Sequence, residues 1–423
     1  MRIAWFSHRY FPCIGGAENY GRAIVRRFVA AGHGVDVFTS DAHDLRYFTD
    51  KGRTRVDAPR VSSVDGADVR RFAVRHVPLQ RYLGRALSYV PHWPTRCRFE
   101  SYMPILPGIE RVRGDYDAVF AVGFPYTVFS LAALRTAREA RSPLLLTPFL
   151  HLATPGDPVS RLYSRPHQSR LLSQADAVIV QTGLEAEAVA RRGVPKARIL
   201  TLGMGVEHAE VTGGDGLDFR TRQDIPRRSP VIGHLATLDP DKGTTDLVRA
   251  LERINAGTTA ENRAYLVLAG PSTARFEAFA AGLASGTRRW LRVIGPLAPG
   301  DRPGFFAALD AFAMPSRTDS FGIVFLEAWA NGLPVVAAAA GGVVEVVEHG
   351  RTGVLVPFGA VEELASAIGG LLADPARARG MGEAGRALVA RGYSWDDRFA
   401  TLDGWVRSLV KGRASKRCDG VAG

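Results

Sequence analysis

Short apolar segments alternate with amphipathic segments of helical length along most of the chain, and no other feature constrains the fold as much. Apolar runs that are each followed by a helix predict parallel strands buried on both faces of a sheet. The series runs once, breaks, and then starts again. The predicted strands are residues 3–7, 35–39, 118–122, 144–147 and 177–180, followed by 231–235, 265–269, 291–294, 311–314, 334–337 and 353–356.

The break lies at residues 203–229, a polar and glycine-rich segment without a sustained period, which is typical of a linker. A chain of 423 residues is also long for a single hydrophobic core. We therefore predict an α/β protein of two doubly wound, Rossmann-like domains, residues 1–205 and 206–394, facing each other across a cleft. A last helix at residues 395–411 is expected to pack back on the first domain. Ligands of such sheets bind beyond the carboxyl ends of the strands.

The composition favours a cytoplasmic protein with phosphate-rich partners. Lys plus Arg number 54 against 42 for Asp plus Glu, and a net charge of +12 attracts nucleotides, nucleic acids or anionic lipid. No apolar run approaches the roughly 20 residues of a membrane span, and the first residues lack a signal-peptide core. The three cysteines, Cys13, Cys97 and Cys418, form neither a disulfide framework nor a zinc spacing, which fits a reducing compartment.

Positive charge is concentrated in residues 70–113, where nine arginines face two acids and aromatic residues lie among them. One interpretation is an anionic membrane surface as a partner, because rings sit at headgroup depth while guanidinium groups meet lipid phosphate. The protein would then lie peripherally on the inner face of the cell membrane. The other interpretation is a solvated arginine-rich segment. No groove-reading module is recognised, so a nucleic-acid partner is not expected.

The segment with the strongest functional signal is residues 315–342, PSRTDSFGIVFLEAWANGLPVVAAAAGG, which follows a predicted strand and opens a helix. The backbone of Phe321, Gly322 and Ile323 would lie at the helix start, where free N–H groups and the helix dipole bind phosphate. Asp319 precedes that helix and Glu327 lies two turns further along the same face. The alternative is that Asp319 only caps the helix and Glu327 is a buried, paired acid.

This segment resembles the signature of the large family of retaining glycosyltransferases with the GT-B fold, which includes bacterial mannosyl- and glucosyltransferases of envelope polysaccharides. The family has two glutamates separated by seven residues, then Gly-Pro-Val and a Gly-Gly turn. Here Asp319 and Glu327 have that spacing, and residues 331–336 and 341–342 supply the rest. The resemblance implies that Glu327 binds the donor ribose, that Asp319 contacts hydroxyls of the transferred sugar, and that residues 321–323 hold the diphosphate.

Other matches extend the resemblance over most of the chain. Gly15 and Gly16 resemble the glycine turn of the family's first domain, where backbone approaches a diphosphate or an acceptor. Lys242 lies in an Asp-Lys-Gly element that implies a point charge on the donor phosphates. His151 matches a histidine that contacts the sugar near the reacting carbon. Each residue also has an ordinary interpretation, respectively a tight turn, a solvated lysine and a satisfied loop histidine.

Two positions depart from the family pattern. Asp319 stands where the family usually has glutamate, which shortens the reach by one methylene. Thr237 stands where the family usually has an arginine that grips the diphosphate, and a hydroxyl cannot replace a guanidinium fork. Either another cation replaces that arginine or donor binding is weaker. Arg317 is the first candidate because it adjoins the phosphate-binding segment, and Arg9 is the second.

The resemblance implies transfer of a hexose, with retention, from a UDP- or GDP-sugar to a glycan or lipid-linked acceptor, in synthesis of cell-envelope polysaccharide or exopolysaccharide. The departing phosphate would accept the acceptor's proton, so no metal or other cofactor is required. Two Asp-x-Asp sequences, at residues 115–117 and 239–241, are interpreted as structural. The alternatives are a nucleotide-sugar epimerase of similar fold and a degenerate, non-catalytic scaffold that binds nucleotide or glycan, which Thr237 favours.

Overall fold

The computed structural model describes residues 1–76, 104–152 and 162–419. These residues form two compact units. The first unit contains residues 1–150, 162–203 and 396–419 of the described chain, and the second contains residues 151–152 and 204–395. Among the described residues, no helix has both the length and the hydropathy that crossing a bilayer requires.

The first unit is built on an eight-stranded sheet in the order β3-β4-β2-β1-β5-β6-β7-β8. Its strands are β1 (Arg2–Ser7), β2 (Gly34–Ser40), β3 (Val61–Val64), β4 (Ala67–Phe72), β5 (Ala118–Val122), β6 (Leu144–Thr147), β7 (Ala177–Val180) and β8 (Ile199–Thr201). All neighbours are parallel except β3 and β4, which form an antiparallel hairpin. The central strands β1, β5, β6 and β7 are buried almost throughout, as near-continuous apolar runs predict.

The described helices of the first unit are α1 (Gly16–Ala30), α2 (Thr127–Ala140), α3 (Pro166–Gln174), α4 (Gly183–Ala190) and, from residue 396 onward, α15 (Trp395–Asp419). Phe399 of α15 meets the ring of Phe28 on α1 edge-on, with the centroids 5.0 Å apart. Leu402 and Val406, one and two turns further along α15, are fully buried. An ion pair of 2.8 Å between Arg27 and Asp396 adds a polar contact at the start of this packing.

The second unit has a six-stranded, fully parallel sheet in the order β11-β10-β9-β12-β13-β14. Its strands are β9 (Val231–Leu235), β10 (Tyr265–Ala269), β11 (Leu291–Gly295), β12 (Ala311–Met314), β13 (Val335–Ala338) and β14 (Gly353–Val356). Its helices are α5 (His208–Val211), α6 (Gly216–Arg222), α7 (Thr244–Asn255), α8 (Ala274–Ala281), α9 (Ser285–Arg288), α10 (Arg302–Ala307), α11 (Ile323–Ala330), α12 (Val343–Val346), α13 (Val361–Ala373) and α14 (Pro375–Gly392). The predicted α/β class with two parallel-sheet domains is confirmed.

The linker predicted at residues 203–229 is wrong in part, because the segment contains α5 and α6. The side chain of Asp215 caps α6 by accepting from the N–H groups of Leu217 and Asp218. Phe219 of α6 is buried edge-on against Phe305 of α10, at 5.9 Å between centroids. Glycine and charged residues around these few apolar anchors hid the helical pattern.

The arginine-rich stretch at residues 70–113 lies mostly outside the described residues, since residues 77–103 are not described. At its start, Arg71 belongs to β4 and is buried. Its guanidinium donates to the carbonyls of Pro59 and Phe11 and to the hydroxyl of Ser62. Arg71 is therefore a structural residue of the β3–β4 hairpin, and it does not belong to a solvated or membrane-facing surface.

Candidate functional site

Candidate functional residues of the second unit gather where β9 and β12 end. These strands are parallel neighbours, so their carboxyl ends lie at the same edge of the sheet. A turn with Lys242 follows β9, and the segment with Asp319 follows β12. The Lys242 ammonium lies 2.8 Å from the Asp319 carboxylate, and both side chains are largely buried. The two residues that the sequence matched to donor phosphate and donor sugar are thus in direct contact.

Local sequence fixes the turn that carries Lys242. The Asp239 carboxylate accepts from the N–H of Asp241, which starts the turn. Gly243 ends it with a φ of 72°, and a side chain there would overlap the carbonyl of Pro315. The N–H of Arg317 donates to the carbonyl of Asp241 over 2.8 Å. The turn therefore lies directly against the segment that leads to Asp319.

His151 belongs to the second unit although it follows β6 in sequence. Burial lowers the pKa of its ring to about 4; nearby Lys242 acts in the same direction, while Asp319 and a hydrogen bond to the Thr318 backbone oppose the change. His151 is therefore neutral at neutral pH and acts there as a hydrogen-bonding group without charge.

Asp319 is held as a carboxylate. Burial on its own would raise the pKa of its carboxyl, but the Lys242 ammonium, the His151 ring and the N–H of Phe321 outweigh burial and lower that pKa below its usual value. The backbone of Asp319 is fixed as well. Its carbonyl accepts from the N–H of Gly342 over 2.8 Å, and a side chain at Gly341 would overlap the same carbonyl. This contact gives the Gly-Gly turn of the signature a structural reason.

The start of α11 carries the segment expected to hold a diphosphate. The N–H of Phe321 is already bonded to the Asp319 carboxylate, and its ring is buried 6.1 Å from that of Tyr393. Gly322 has a φ of 83°, and a side chain there would overlap the ring of Phe325. The first N–H groups of a helix have no intrahelical acceptor, so Ile323 begins a helix end suited to an anion.

Glu327 lies on α11 and is buried, as the alternative interpretation of this acid required. One terminal nitrogen of Arg302 donates to both of its carboxylate oxygens, over 2.7 and 2.6 Å. Arg302 is the first residue of α10. Sequence reasoning missed this partner, because a single arginine 25 positions away carries no local signal. The pair fixes the carboxylate that the family resemblance assigns to the donor ribose.

The structure also shows where Thr237, which stands in place of the family's arginine, and Arg317, the first candidate to replace that arginine, are located. Thr237 is exposed just beyond β9. Arg317 pairs with Asp241 over 3.3 Å and lies over the ring of Phe358 at 5.0 Å. Asp241 also pairs with Arg275 over 2.9 Å. The substitute cation that the sequence placed first thus lies beside the Lys242 turn, with its charge partly neutralised by Asp241.

In the first unit, Gly15 and Gly16 form the start of α1. A side chain at Gly15 would overlap the carboxylate of Glu18, which is buried. Burial opposes ionisation of Glu18, but a hydrogen bond with His8 and the charge of Arg9 lower its pKa to about 2. Arg9, the second substitute proposed for the missing arginine, lies 2.7 Å from this carboxylate. The buried carboxylate of Glu18 therefore lies directly against Gly15 and leaves no room for a side chain there.

Glu185 is a second buried acid that the sequence did not single out. Its carboxylate accepts from the N–H of Leu150 over 2.6 Å and from the N–H of Gln181 over 2.7 Å. Burial nevertheless raises the pKa of its carboxyl to about 7. Leu150 directly precedes His151, so Glu185 anchors the segment that leads to this histidine.

Both Asp-x-Asp sequences make structural contacts. Asp117 accepts from the N–H of Arg2, and Asp239 accepts from the N–H of Asp241 and the hydroxyl of Thr273. Within the described ranges, no group of three or more His, Cys, Asp or Glu side chains is arranged to hold a metal ion.

Comparison with known proteins identifies the family. Residues 217–388 match the family described as "Glycosyl transferases group 1", and residues 15–205 match the "Glycosyl transferase 4-like domain". The D-inositol 3-phosphate glycosyltransferase of Salinispora tropica is 31% identical over 413 residues, which are 90% of this chain and 78% of that protein. The chain belongs to the group 1 glycosyltransferases.

Two other relatives of this glycosyltransferase match it over different lengths. A D-inositol 3-phosphate glycosyltransferase of Catenulispora acidiphila is 27% identical over 94% of this chain and 92% of its own length. A "GDP-mannose-dependent alpha-(1-6)-phosphatidylinositol monomannoside mannosyltransferase" of Mycobacterium tuberculosis is 36% identical over 201 residues, 45% of this chain and half of its own length.

Solved structures show that the glycosyltransferase has the GT-B fold. A sucrose-phosphate synthase from Thermosynechococcus elongatus superposes with a TM-score of 0.71 at 23% identity, over 97% of this chain and 99% of that one. Anabaena HepE, solved with UDP and glucose, superposes with a TM-score of 0.70 at 20% identity, over 96% of this chain and all of its own.

Proposed function

We propose that this glycosyltransferase moves a hexose, with retention, from a nucleotide diphosphate sugar to a glycan or a lipid-linked acceptor, in the synthesis of cell-envelope polysaccharide or exopolysaccharide. The observation that carries the proposal is the cluster of Lys242, Asp319 and neutral His151 at one edge of the second unit's sheet. A cation, a sugar-binding carboxylate and an uncharged hydrogen-bonding ring are the groups that a diphosphate sugar needs at its reacting end.

Each residue has a distinct part in the proposed reaction. Lys242 and the helix end at residues 321–323 balance the charge of the diphosphate. Asp319 accepts hydrogen bonds from hydroxyls of the hexose, and His151 contacts the sugar near its reacting carbon. Glu327, fixed by Arg302, accepts from the ribose hydroxyls. Arg317 and Thr237 border the diphosphate, and Gly15 and Gly16 of the first unit approach the diphosphate or the acceptor.

In the proposed step, the bond between the sugar's anomeric carbon and the diphosphate oxygen breaks. The acceptor oxygen forms its bond to that carbon on the same face. The acceptor's proton passes to the departing phosphate, so no protein base of high pKa is needed. A preformed positive site lowers the activation barrier because it stabilises the negative charge that develops on the leaving diphosphate in the transition state. This chemistry uses no metal or other cofactor.

The names of the relatives supply candidates for donor and acceptor. The mycobacterial relative is named for GDP-mannose and a phosphatidylinositol mannoside, whereas HepE was solved with UDP and glucose. The inositol 3-phosphate and the phosphatidylinositol monomannoside in the names of the relatives are both anionic. A chain with a net charge of +12 suits such acceptors, and a lipid-linked one would place the protein on the inner face of the membrane.

Thermal shift with UDP, GDP and their hexose derivatives tests the donor assignment. A ligand at 100 times its Kd stabilises a protein by about 2.7 kcal/mol, so the preferred nucleotide raises Tm by several degrees. We expect Lys242→Ala to weaken nucleoside diphosphate binding by about 10- to 100-fold, because a largely buried cation is lost from the phosphate site.

The matched control is Lys196→Ala, which removes the same charge at an exposed position. It should bind nucleotide as the wild type does. Unchanged nucleotide affinity in Lys242→Ala would contradict the assigned role of the lysine. Turnover with a donor panel separates an enzyme from a scaffold, and release of a new nucleotide sugar without any acceptor would instead indicate an epimerase.

A further inference from the structure

A buried polar chain lies directly behind the Lys242 turn. His234, on β9, is fully buried, and its Nδ1 lies 2.9 Å from the carbonyl oxygen of Ala313 on β12. Its Nε2 lies 3.0 Å from the hydroxyl of Thr244, the first residue of α7. The same hydroxyl accepts from the N–H of Asp239 over 3.2 Å. These bonds connect the neighbouring strand β12 to the residue that opens the turn.

The chemistry of the groups sets the direction of every bond in this chain. A carbonyl oxygen only accepts, so Nδ1 of His234 carries the proton. Burial lowers the pKa of His234 to about 4, so Nε2 is an acceptor at neutral pH. The Thr244 hydroxyl therefore donates to Nε2 and accepts from Asp239. Each donor in this hydrogen-bond chain therefore has an acceptor, and the chain holds the start of the turn in place.

We propose that His234 and Thr244 are positioning residues that fix the turn at residues 239–243, so that the Lys242 ammonium is directed at the donor diphosphate. This inference rests on the proposed function. Asp239 at the start of the turn is held by Thr244. Gly243 at its end fits against Pro315, and the carbonyl of Asp241 accepts from Arg317. Lys242 is the residue between these anchors.

A long lysine side chain loses considerable conformational freedom when it binds a ligand. A turn that is already fixed reduces the freedom that must be lost, and preorganisation of this kind increases affinity. Breaking the hydrogen bonds of His234 and Thr244 should therefore lower the affinity for the donor, and it should do so only when Lys242 is present. A residue that only fills space would instead affect stability to the same degree whether or not the lysine is present.

Thr244→Val tests this role because it keeps the shape of the side chain and removes the hydroxyl. Asp239 then loses an acceptor and His234 loses a donor, while Thr244→Ser retains both bonds. Thr245→Val makes the same chemical change at the next buried residue of α7 and is the matched control. His234→Asn removes the bond between His234 and Thr244 from the other side, since its amide can donate to Ala313 but is too short to reach Thr244, and it leaves the bond between Thr244 and Asp239 possible.

The measurement is a double-mutant cycle with Lys242→Ala, read as the Kd of UDP and GDP by titration calorimetry. We expect Thr244→Val and His234→Asn to weaken binding of the preferred nucleotide about tenfold in the wild type. In the Lys242→Ala background the same changes should have less than about a twofold effect. Thr244→Ser and Thr245→Val should stay close to the wild-type Kd. The two test variants change different residues of the same hydrogen-bond chain, so a folding defect in one leaves the other to decide.

An equal loss in both backgrounds would overturn the inference, because the chain would then act independently of the lysine. Wild-type affinity in both test variants would overturn it as well. These outcomes leave the proposed function intact, since Lys242→Ala alone tests the lysine's role. A wild-type protein that binds neither nucleotide would refute the proposed function and this inference together.

Discussion

The Asp319 carboxylate has two roles that can be separated by mutation. It pairs with Lys242 at 2.8 Å, and in the proposed function it accepts from hydroxyls of the hexose. A nucleoside diphosphate without sugar must share Lys242 with this carboxylate and is repelled by its charge. Asp319→Asn should therefore tighten the binding of UDP or GDP about threefold, because one like charge is removed. It should lower turnover by about 100-fold or more, because the sugar contact is weakened.

Calorimetry with the two nucleotides and initial rates with the preferred sugar donor test both halves of this prediction. Asp301→Asn is the control, since it makes the same change in a half-buried acid that pairs with Arg222. If Asp319→Asn bound nucleotide more weakly than the wild type, Asp319 would be needed to order Lys242, and the competition proposed between carboxylate and diphosphate would be wrong.

Sequence reasoning proposed the residues of the candidate site that stand in short sequence motifs and missed those whose partners are distant in sequence. Asp319, Lys242 and the Gly-Gly turn stand in recognisable order along the chain, and the structure brings the first two into contact. Arg302 was not found, because its pairing with Glu327 arises from the packing of two helices. The same holds for Glu185, which meets Leu150 from 35 positions away. Local patterns do not encode such contacts.

At the scale of secondary structure, buried parallel strands were predictable, as were both edge strands of the second sheet, whereas β3, β4 and β8 at the ends of the first sheet were not. Strands such as β5, β6 and β12 are continuous apolar runs, so each was recognised within a residue of its bounds. The β3–β4 hairpin has alternating exposure, and β4 includes a buried arginine where an apolar residue is expected. Edge strands are half solvated, so their pattern is weaker. Strand order also could not be read, because pairing joins distant segments.

The first turn of α4 contains an acid, Glu185, whose ionisation should appear in the pH dependence of stability. Burial raises the pKa of Glu185 to about 7, from a usual value of 4.5. Between these values the folded protein holds a proton that the unfolded chain releases. The contribution of Glu185 to stability is therefore largest below about pH 4.5 and is lost as the pH rises to about 7.

Glu185→Gln removes this titration. The free energy of unfolding of the wild type, relative to the variant, should fall by about 3 kcal/mol from pH 4.5 to pH 8. His151 and His234 act oppositely: their pKa values are lowered to about 4, so they add stability as pH rises from about 4 to 6.5. Scanning calorimetry of both proteins across this range isolates Glu185, because the histidines are common to both. Parallel profiles for the two proteins would contradict the assignment.

The described residues form two units, each with its own sheet and hydrophobic core, and the last helix, α15, packs in the first unit. α15 buries Leu402 and Val406 and places Phe399 against Phe28, so the end of the sequence completes the core in which its beginning lies. The domain organisation read from the sequence predicted both this helix and its packing on the first domain. Each unit presents the carboxyl ends of its parallel strands with their turns, which is where α/β sheets bind ligands. Two of the candidate residues lie in such turns, Gly15 after β1 and Lys242 after β9.

The net charge of +12 is a property of the whole molecule, and the concentration of arginine in residues 70–113 predicts binding to anionic membranes. We expect the protein to bind vesicles that contain anionic phosphatidylglycerol, and to release them as salt rises from about 50 to 300 mM, because the Debye length shortens. Arg85→Glu with Arg98→Glu should reduce this binding about tenfold or more, at roughly 1 kcal/mol for each charge near the surface.

Lys196→Glu with Arg198→Glu changes the net charge equally at exposed positions outside the stretch, and its binding should stay within about twofold of the wild type. Co-sedimentation at both salt concentrations measures all three proteins. If the two double variants lost binding equally, the attraction would come from net charge alone. The arginine-rich stretch would then have no specific part in bringing the enzyme to a lipid-linked acceptor, and its arginines would be no more than a solvated, basic segment.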